Sequence, residues 1–419
     1  MKRLALLLAL LLLLAPQFVY ADGGITVLSS TARADFPQSI AFTLEARSKA
    51  DITQVVLRYQ VKHQSCVDVT ALATPDFRPG REVKATWEWD MRQSGGLPPG
   101  TEVQYQWTVQ DAAGDRLETA AASLIFKDDR YQWRSLEQGQ VIIFWYEGDR
   151  SFAEALLGSA QQALTMLDRD TGARLRNPAR IYVYGSFDDL RGALVYAQEW
   201  TGGLTFTQFS TIAIGINPRN LDWGKGALAH ELSHLVVGQI TFNCYGATLP
   251  RWLDEGLAMY AEGDLGVDYQ LPLRQAVARD RLISVRSLSS SFPADPEQAL
   301  LSYAESHSLV SYLIAGYGQA RMLRLLEVFK EGSSYDDALR QVYGLDSLGL
   351  DNAWRAGLGL GPRPAVETPP PSPQPSPTLP VVWIILGVVL AWTVVAVIVV
   401  AVVGLRIRRR LAKGQVRKH

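Results

Sequence analysis

Cysteine is scarce in this chain. It has two in 419 residues, Cys66 and Cys244, and no CxxC pair, so cysteine is not the metal-ligating residue type. The two thiols either pair in an oxidising compartment or stay as buried free thiols, and their spacing does not decide between these. A basic excess is also missing. The formal net charge is −1. Setting aside Lys2, Arg3 and the seven cations of the C-terminal RIRRRLAKGQVRKH leaves 32 basic against 42 acidic residues, a net of about −10. That balance lacks the basic footprint nucleic acids require and excludes them as partners. No internal repeat at periods of 20 to 50 residues is present, so a solenoid is excluded too.

Long apolar runs do occur, one at each end. Lys2 and Arg3 precede the unbroken run Leu4 to Leu14, and Val19-Tyr20-Ala21 places a small residue where a signal peptidase cuts. The expectation is a signal peptide over 1–21. Val381 to Leu405 holds 25 residues without a charge, enough to cross a bilayer as a helix, with Trp383 near one end. The basic flank 406–419 predicts a cytoplasmic tail, hence a single-pass type I protein contacting the lipid bilayer through its C-terminal helix. Before it, Arg363 to Pro380 is proline-rich and reads as an extended stalk of about 3.1 Å per residue.

Between these ends the rhythm changes once. From 22 to 129, segments such as Ser39 to Ala46, Ile52 to His63, Glu82 to Trp89, Thr101 to Gln110 and Glu118 to Phe126 alternate apolar and polar residues, separated by TPDFRPG, QSGGLPPG and DAAGD. The expectation is an all-β sandwich, like immunoglobulin or fibronectin modules in pattern, serving as a spacer or as an adhesion surface. From 130 to 362, strand signals at Val141 to Tyr146, Arg180 to Tyr184 and Thr211 to Ile216 give way to helical periodicity, which predicts an α+β domain.

HELSH, His230 to His234, carries the chemistry. Four apart on a helix, His230 and His234 project from one face and reach a single metal. Glu231 stands beside the first of them, where a general base for a metal-activated water is required. Catalytic zinc takes three protein ligands and keeps one position open. In PRWLDEGLAMY, Glu255 follows His234 by 21 residues, and the intervening loop lets a second helix present it. Asp254 is adjacent, but neighbours on a helix point about 100° apart, so only one of the two ligates.

HELSH followed by WLDEGLAMY resembles the gluzincin metallopeptidases, in particular the peptidase MA-like proteins, and more distantly thermolysin and aminopeptidases with a WLNEG-type motif. The resemblance covers about 200 residues, from Gln140 to Tyr343. It implies one Zn²⁺ held by His230, His234 and Glu255, with Glu231 as base. It also implies a small mixed sheet whose edge strand, matched by Thr211 to Ile216, binds extended peptide. SYAESHSLVSYL is similar to the aminopeptidase segment that supplies an oxyanion-stabilising tyrosine, which makes Tyr303 the candidate and His307 its alternative. WTGGLTFTQFSTIAIG has no exopeptidase GAMEN-like segment, so the expected activity is that of an endopeptidase on protein or peptide substrates. The whole chain then reads as signal peptide, β-sandwich, gluzincin-type (thermolysin-like) α+β domain, stalk and one transmembrane helix. The rival reading is a non-catalytic cell-surface binding protein with a vestigial or structural zinc site.

Overall fold

Alternation of side chains builds the first sheet around one long strand. The computed structural model describes residues 24–196 and 202–363. The segments expected as signal peptide (1–21), membrane span (381–405) and basic tail (406–419), with nearly all of the stalk, lie outside these residues. Strand β2 (Ser39–Val61) merges two expected strands. Its first half buries Ile40, Phe42, Leu44 and Ala46 and pairs with β1 (Thr26–Asp35) and β4 (Gly80–Asp90). The register shifts around residues 47 to 54, after which Ile52, Val55 and Leu57 turn inward. The second half pairs with β3 (Ala71–Ala73) and β5 (Thr101–Asp111). Strands β6 (Arg116–Glu118) and β7 (Ala122–Phe126) add to β5. The sandwich is thus one seven-stranded sheet turned over along β2, so that Phe42 meets Tyr105 edge-on at 5.2 Å and Phe36 meets Phe126 at 4.9 Å. A short helix, α1 (Met91–Ser94), follows β4.

The second sheet has the order β11-β12-β10-β9-β8. Its strands are β8 (Arg134–Gln138), β9 (Val141–Trp145), β10 (Ala179–Tyr184), β11 (Gly203–Phe206) and β12 (Thr211–Gly215). The central strands β9, β10 and β12 run parallel, and both outer strands are antiparallel. Their apolar runs VIIFW and RIYVY serve two faces. Ile143, Ile181, Val183, Ile212 and Ile214 pack into the helical core, while Phe144, Tyr182, Tyr184 and Ala213 join the core of the first sheet. Between the sheets, buried Asp128 accepts the Tyr184 hydroxyl at 3.0 Å and pairs with Arg130 at 2.7 Å. Cys66 and Cys244 are joined in a disulfide with Cα atoms 5.7 Å apart, which answers what spacing left open.

Ten helices occur among the described residues, α1 included. α2 (Arg150–Thr171) is capped by Asp149 and ends on Gly172 in the left-handed region. α3 (Phe187–Arg191) follows β10. α4 (Leu221–Thr241) is buried or half-buried except at Asp222 and Trp223. After it come α5 (Arg251–Glu262), α6 (Val267–Ala278), α7 (Val285–Leu288), α8 (Pro296–Lys330), α9 (Tyr335–Tyr343) and α10 (Ser347–Gly357). Gly318, at φ 77° and ψ 174°, interrupts α8.

The expected fold class requires a correction. No helix among the described residues is long and apolar enough to cross a membrane. α4 and α8 have the length but carry charges inside it: Asp222, Lys225 and Glu231 in one, Glu305, Arg321 and Arg324 in the other. The transmembrane helix and the single-pass type I membrane localisation expected from 381–405 therefore do not stand as features of this fold.

Candidate metal centre and cleft

Helical spacing sets the first two donors. His230 and His234 sit one turn apart on α4, with ring centroids 4.9 Å apart. The chain leaves α4, turns through the disulfide-bonded loop, and re-enters α5 after Pro250, whose extended backbone starts that helix. One turn into α5, Glu255 points inward and is 2% exposed. Single donor atoms of His230, His234 and Glu255 all lie within 4.8 Å of one another. Nε2 of His230 is 3.2 Å from Oε2 of Glu255, and Nε2 of His234 is 3.6 Å from it. Asp254 points elsewhere, as expected for an immediate helical neighbour.

Two acids occupy the outer ring nitrogens. Nδ1 of His230 meets Oε1 of Glu262 at 2.7 Å, and Nδ1 of His234 meets Oδ1 of Asp254 at 3.0 Å. Carboxylates there hold the ring protons on Nδ1 and leave the Nε2 lone pairs facing inward, as in metal-ligating histidines. Oε2 of Glu255 is buried without a hydrogen bond, while Arg251 pairs with the other oxygen, Oε1. With both imidazoles neutral, these three lone pairs face one another and repel; positive charge among them, a divalent cation or protons, removes the repulsion. The donor set, two imidazoles and a carboxylate, fits zinc. The local field points the same way. Burial pulls the His230 imidazole down, but Glu255 and Glu262 outweigh it and push it to about 9. His234 rises too, burial being overcome by Asp254 and Glu255. Burial pushes Glu255 up, yet the two imidazoles hold it well below the carboxylate range.

Glu231 faces the second sheet. The Thr205 hydroxyl of β11 donates to Oε2 of Glu231 at 2.7 Å and lies 3.0 Å from its backbone carbonyl. Gly203 makes room for this carboxylate, since a Cβ there would stand 2.8 Å from its Cγ and Oε1. Sequence reading missed both residues, because a four-residue strand in TGGLTF offers no alternation to find. It also misassigned the edge strand. β12, from Thr211, is interior and buried, hydrogen-bonded on both sides; the edge is β11. Gly215 N–H donates to Gly202 O at 3.0 Å. By the antiparallel alternation, the backbone groups of Gly203 and Thr205 face the open edge.

The centre opens into a cleft of about 1260 Å³ that follows α4 from Trp223 to Thr241. Tyr303 of α8 lines it, edge-on to Phe292 at 5.1 Å, and so does Tyr269 of α6, which sequence reading did not select. Burial raises the Tyr303 phenol and the Glu255 carboxylate adds to that, keeping it a proton donor. His307 is not among the cleft residues; it packs beside the Tyr260 ring at 6.1 Å, and burial lowers its pKa.

Residues 159–359 match the Peptidase MA superfamily. This match bears out the gluzincin-like resemblance and supports a peptidase in general. A curated relative is a 2-isopropylmalate synthase of Parvibaculum lavamentivorans, 25% identical over 265 residues, which are 57% of this chain. The chain spans 46% of that protein's length. Among solved structures, an M1 zinc metallopeptidase from Deinococcus radiodurans is 14% identical, covering 84% of this chain and 96% of that one at a TM-score of 0.30. Wild-type OgpA from Akkermansia muciniphila is 13% identical, covering 26% of this chain and 30% of that one at a TM-score of 0.20.

Proposed function

We propose that this chain is a zinc-dependent endopeptidase whose ion is held by His230, His234 and Glu255. The observation that carries the reading is the convergence of three donor atoms with a carboxylate behind each imidazole. When bound, zinc supplies Lewis acidity to the scissile carbonyl and to the attacking water. Glu231, oriented by Thr205, takes the proton from that water and returns it to the leaving amine. Tyr303 donates its phenolic hydrogen to the oxyanion as it develops. An extended peptide adds to the open edge of β11, where Gly203 and Thr205 present backbone groups. The cleft continues beyond the two histidines toward both ends of α4, which supports cleavage within a chain rather than at its terminus.

Glu231→Gln tests the assignment. The substitution keeps the zinc content and removes turnover of casein and of a mixed peptide library by at least about a hundredfold. Wild-type turnover in that variant would reject Glu231 as the base.

A further inference from the structure

At one end of the cleft two large aromatic side chains stand uncovered: Trp223 lines it, and Phe187 packs against Trp223 beside it. Trp223 is 49% exposed and Phe187 46% exposed. Their rings meet edge-to-face, with centroids 5.5 Å apart and planes at 88°. Trp223 and Gly202 line the cleft. A Cβ on Gly202 would lie 3.6 Å from Phe187 and 3.8 Å from Trp223, so a larger residue there would lay its side chain over the rings. The mechanism uses neither ring, and both stay half-exposed among the described residues.

Their place relative to the metal centre follows from helix geometry. Trp223 precedes His230 by seven residues on α4, which returns it to the same face about 10.5 Å away. Gly226 and Ala227 lie between them and also line the cleft, so no bulky side chain from α4 fills the gap. An extended peptide rises about 3.4 Å per residue, so the rings stand two or three residues from a bond held at the centre. Direction follows from β11. Gly202 sits near Trp223, while a Cβ on Gly238, further along α4, would meet Thr207 at 2.6 Å, so β11 and α4 run the same way. An antiparallel strand, the more stable pairing, places its C-terminal side at the Trp223 end.

We propose that Trp223 and Phe187 form a subsite for a large apolar or aromatic side chain of the substrate, two or three residues C-terminal to the cleaved bond. The proposal rests on the peptidase reading. Asp222 beside Trp223 is already paired with Lys225 at 3.0 Å, which favours an apolar occupant over a cationic one. Edge-to-face packing on the rings and removal of apolar surface from water supply the selectivity.

The experiment uses the full, zinc-loaded chain and internally quenched peptides carrying Phe, Leu, Ala or Lys at each of three positions on either side of one cleavable bond. Wild type prefers Phe or Leu over Ala at the second or third position after that bond by about tenfold or more in kcat/KM. Trp223→Ala brings the ratio to within about threefold, and Trp223→Phe keeps most of it. A preference that survives Trp223→Ala, falls on the N-terminal side, or favours Lys overturns the subsite. A binding arm separates this from failure of the peptidase reading. In the Glu231→Gln background, labelled Phe and Ala peptides are compared by fluorescence anisotropy with and without Trp223→Ala. If wild type cleaves nothing, the peptidase reading falls, while a Phe-peptide affinity lost on Trp223→Ala still supports the subsite. Equal affinities overturn it.

Discussion

Thr205 and Glu262 make the site more than a set of ligands. Thr205 Oγ1 donates to the carboxylate of Glu231, the proposed base, at 2.7 Å and orients it. A hydrogen bond to a charged group contributes about 1.5–3 kcal/mol, so Thr205→Val is expected to lower kcat about tenfold or more with KM little changed. Thr205→Ser, which keeps the hydroxyl, should recover most of it. Steady-state kinetics on one quenched peptide checks both, and equal rates for Val and wild type would dismiss the contact. Glu262 acts through the His230 ring, 2.7 Å from Nδ1. Glu262→Gln is expected to weaken zinc binding about 10- to 100-fold, measured by competition with a chelating dye, without abolishing turnover at saturating zinc. At this scale the three converging donors were legible in the sequence, because HELSH and WLDEG fix helical spacing on their own. Thr205 and Glu262 were not. One comes from a strand too short to show a period, and the other stands seven residues beyond Glu255, a separation that means nothing until α4 and α5 pack.

α5 carries Glu255 to its place by lying close to α8. Gly256 sits at their crossing, where a Cβ would stand 2.5 Å from the Ser306 carbonyl. Gly256→Ala is therefore expected to push the helices apart, destabilise the fold by about 1–3 kcal/mol and lower zinc affinity with it. Denaturant titration and metal competition check the two effects, and an unchanged variant would show that the packing yields there. Most elements were legible. Alternation marked β4 and β5, and the change to helical periodicity marked the later part of the second domain. Two elements were misread, each for its own reason. β2 looked like two strands because its inward parity slips around residues 47 to 54. β12 looked like an edge because hydrogen bonding on its second side comes from β11, which the sequence hardly announces. The membrane span rested on a segment outside the described fold, and no described helix takes its place.

At the scale of the molecule, the disulfide Cys66–Cys244 ties the first sheet to the loop between α4 and α5 across 178 residues. Chain-entropy reasoning puts its contribution at up to about 5 kcal/mol. Cys66→Ser should lower the thermal midpoint by several degrees, and an equal midpoint would show that the core alone fixes the two parts. Glu305, fully buried, accepts the Ile283 N–H on both oxygens at 3.1 and 3.0 Å. Burial pushes its carboxyl up to about 8, with Asp351 adding and the Ile283 N–H and Arg363 opposing. The folded chain then keeps this proton where the unfolded chain, near 4.5, has lost it. Stability should fall as pH rises from about 4.5 to about 8, by at most about 1.4 kcal/mol per unit, and level off above. Denaturant melts across that range should show the slope in wild type and a flatter one in Glu305→Gln. The proposed activity depends on the ion. Metal analysis of the purified full chain beside Glu255→Ala decides the matter: one zinc per wild-type chain and nearly none in the variant are expected, whereas equal metal in both, or none in a folded wild type incubated with zinc, would refute the site.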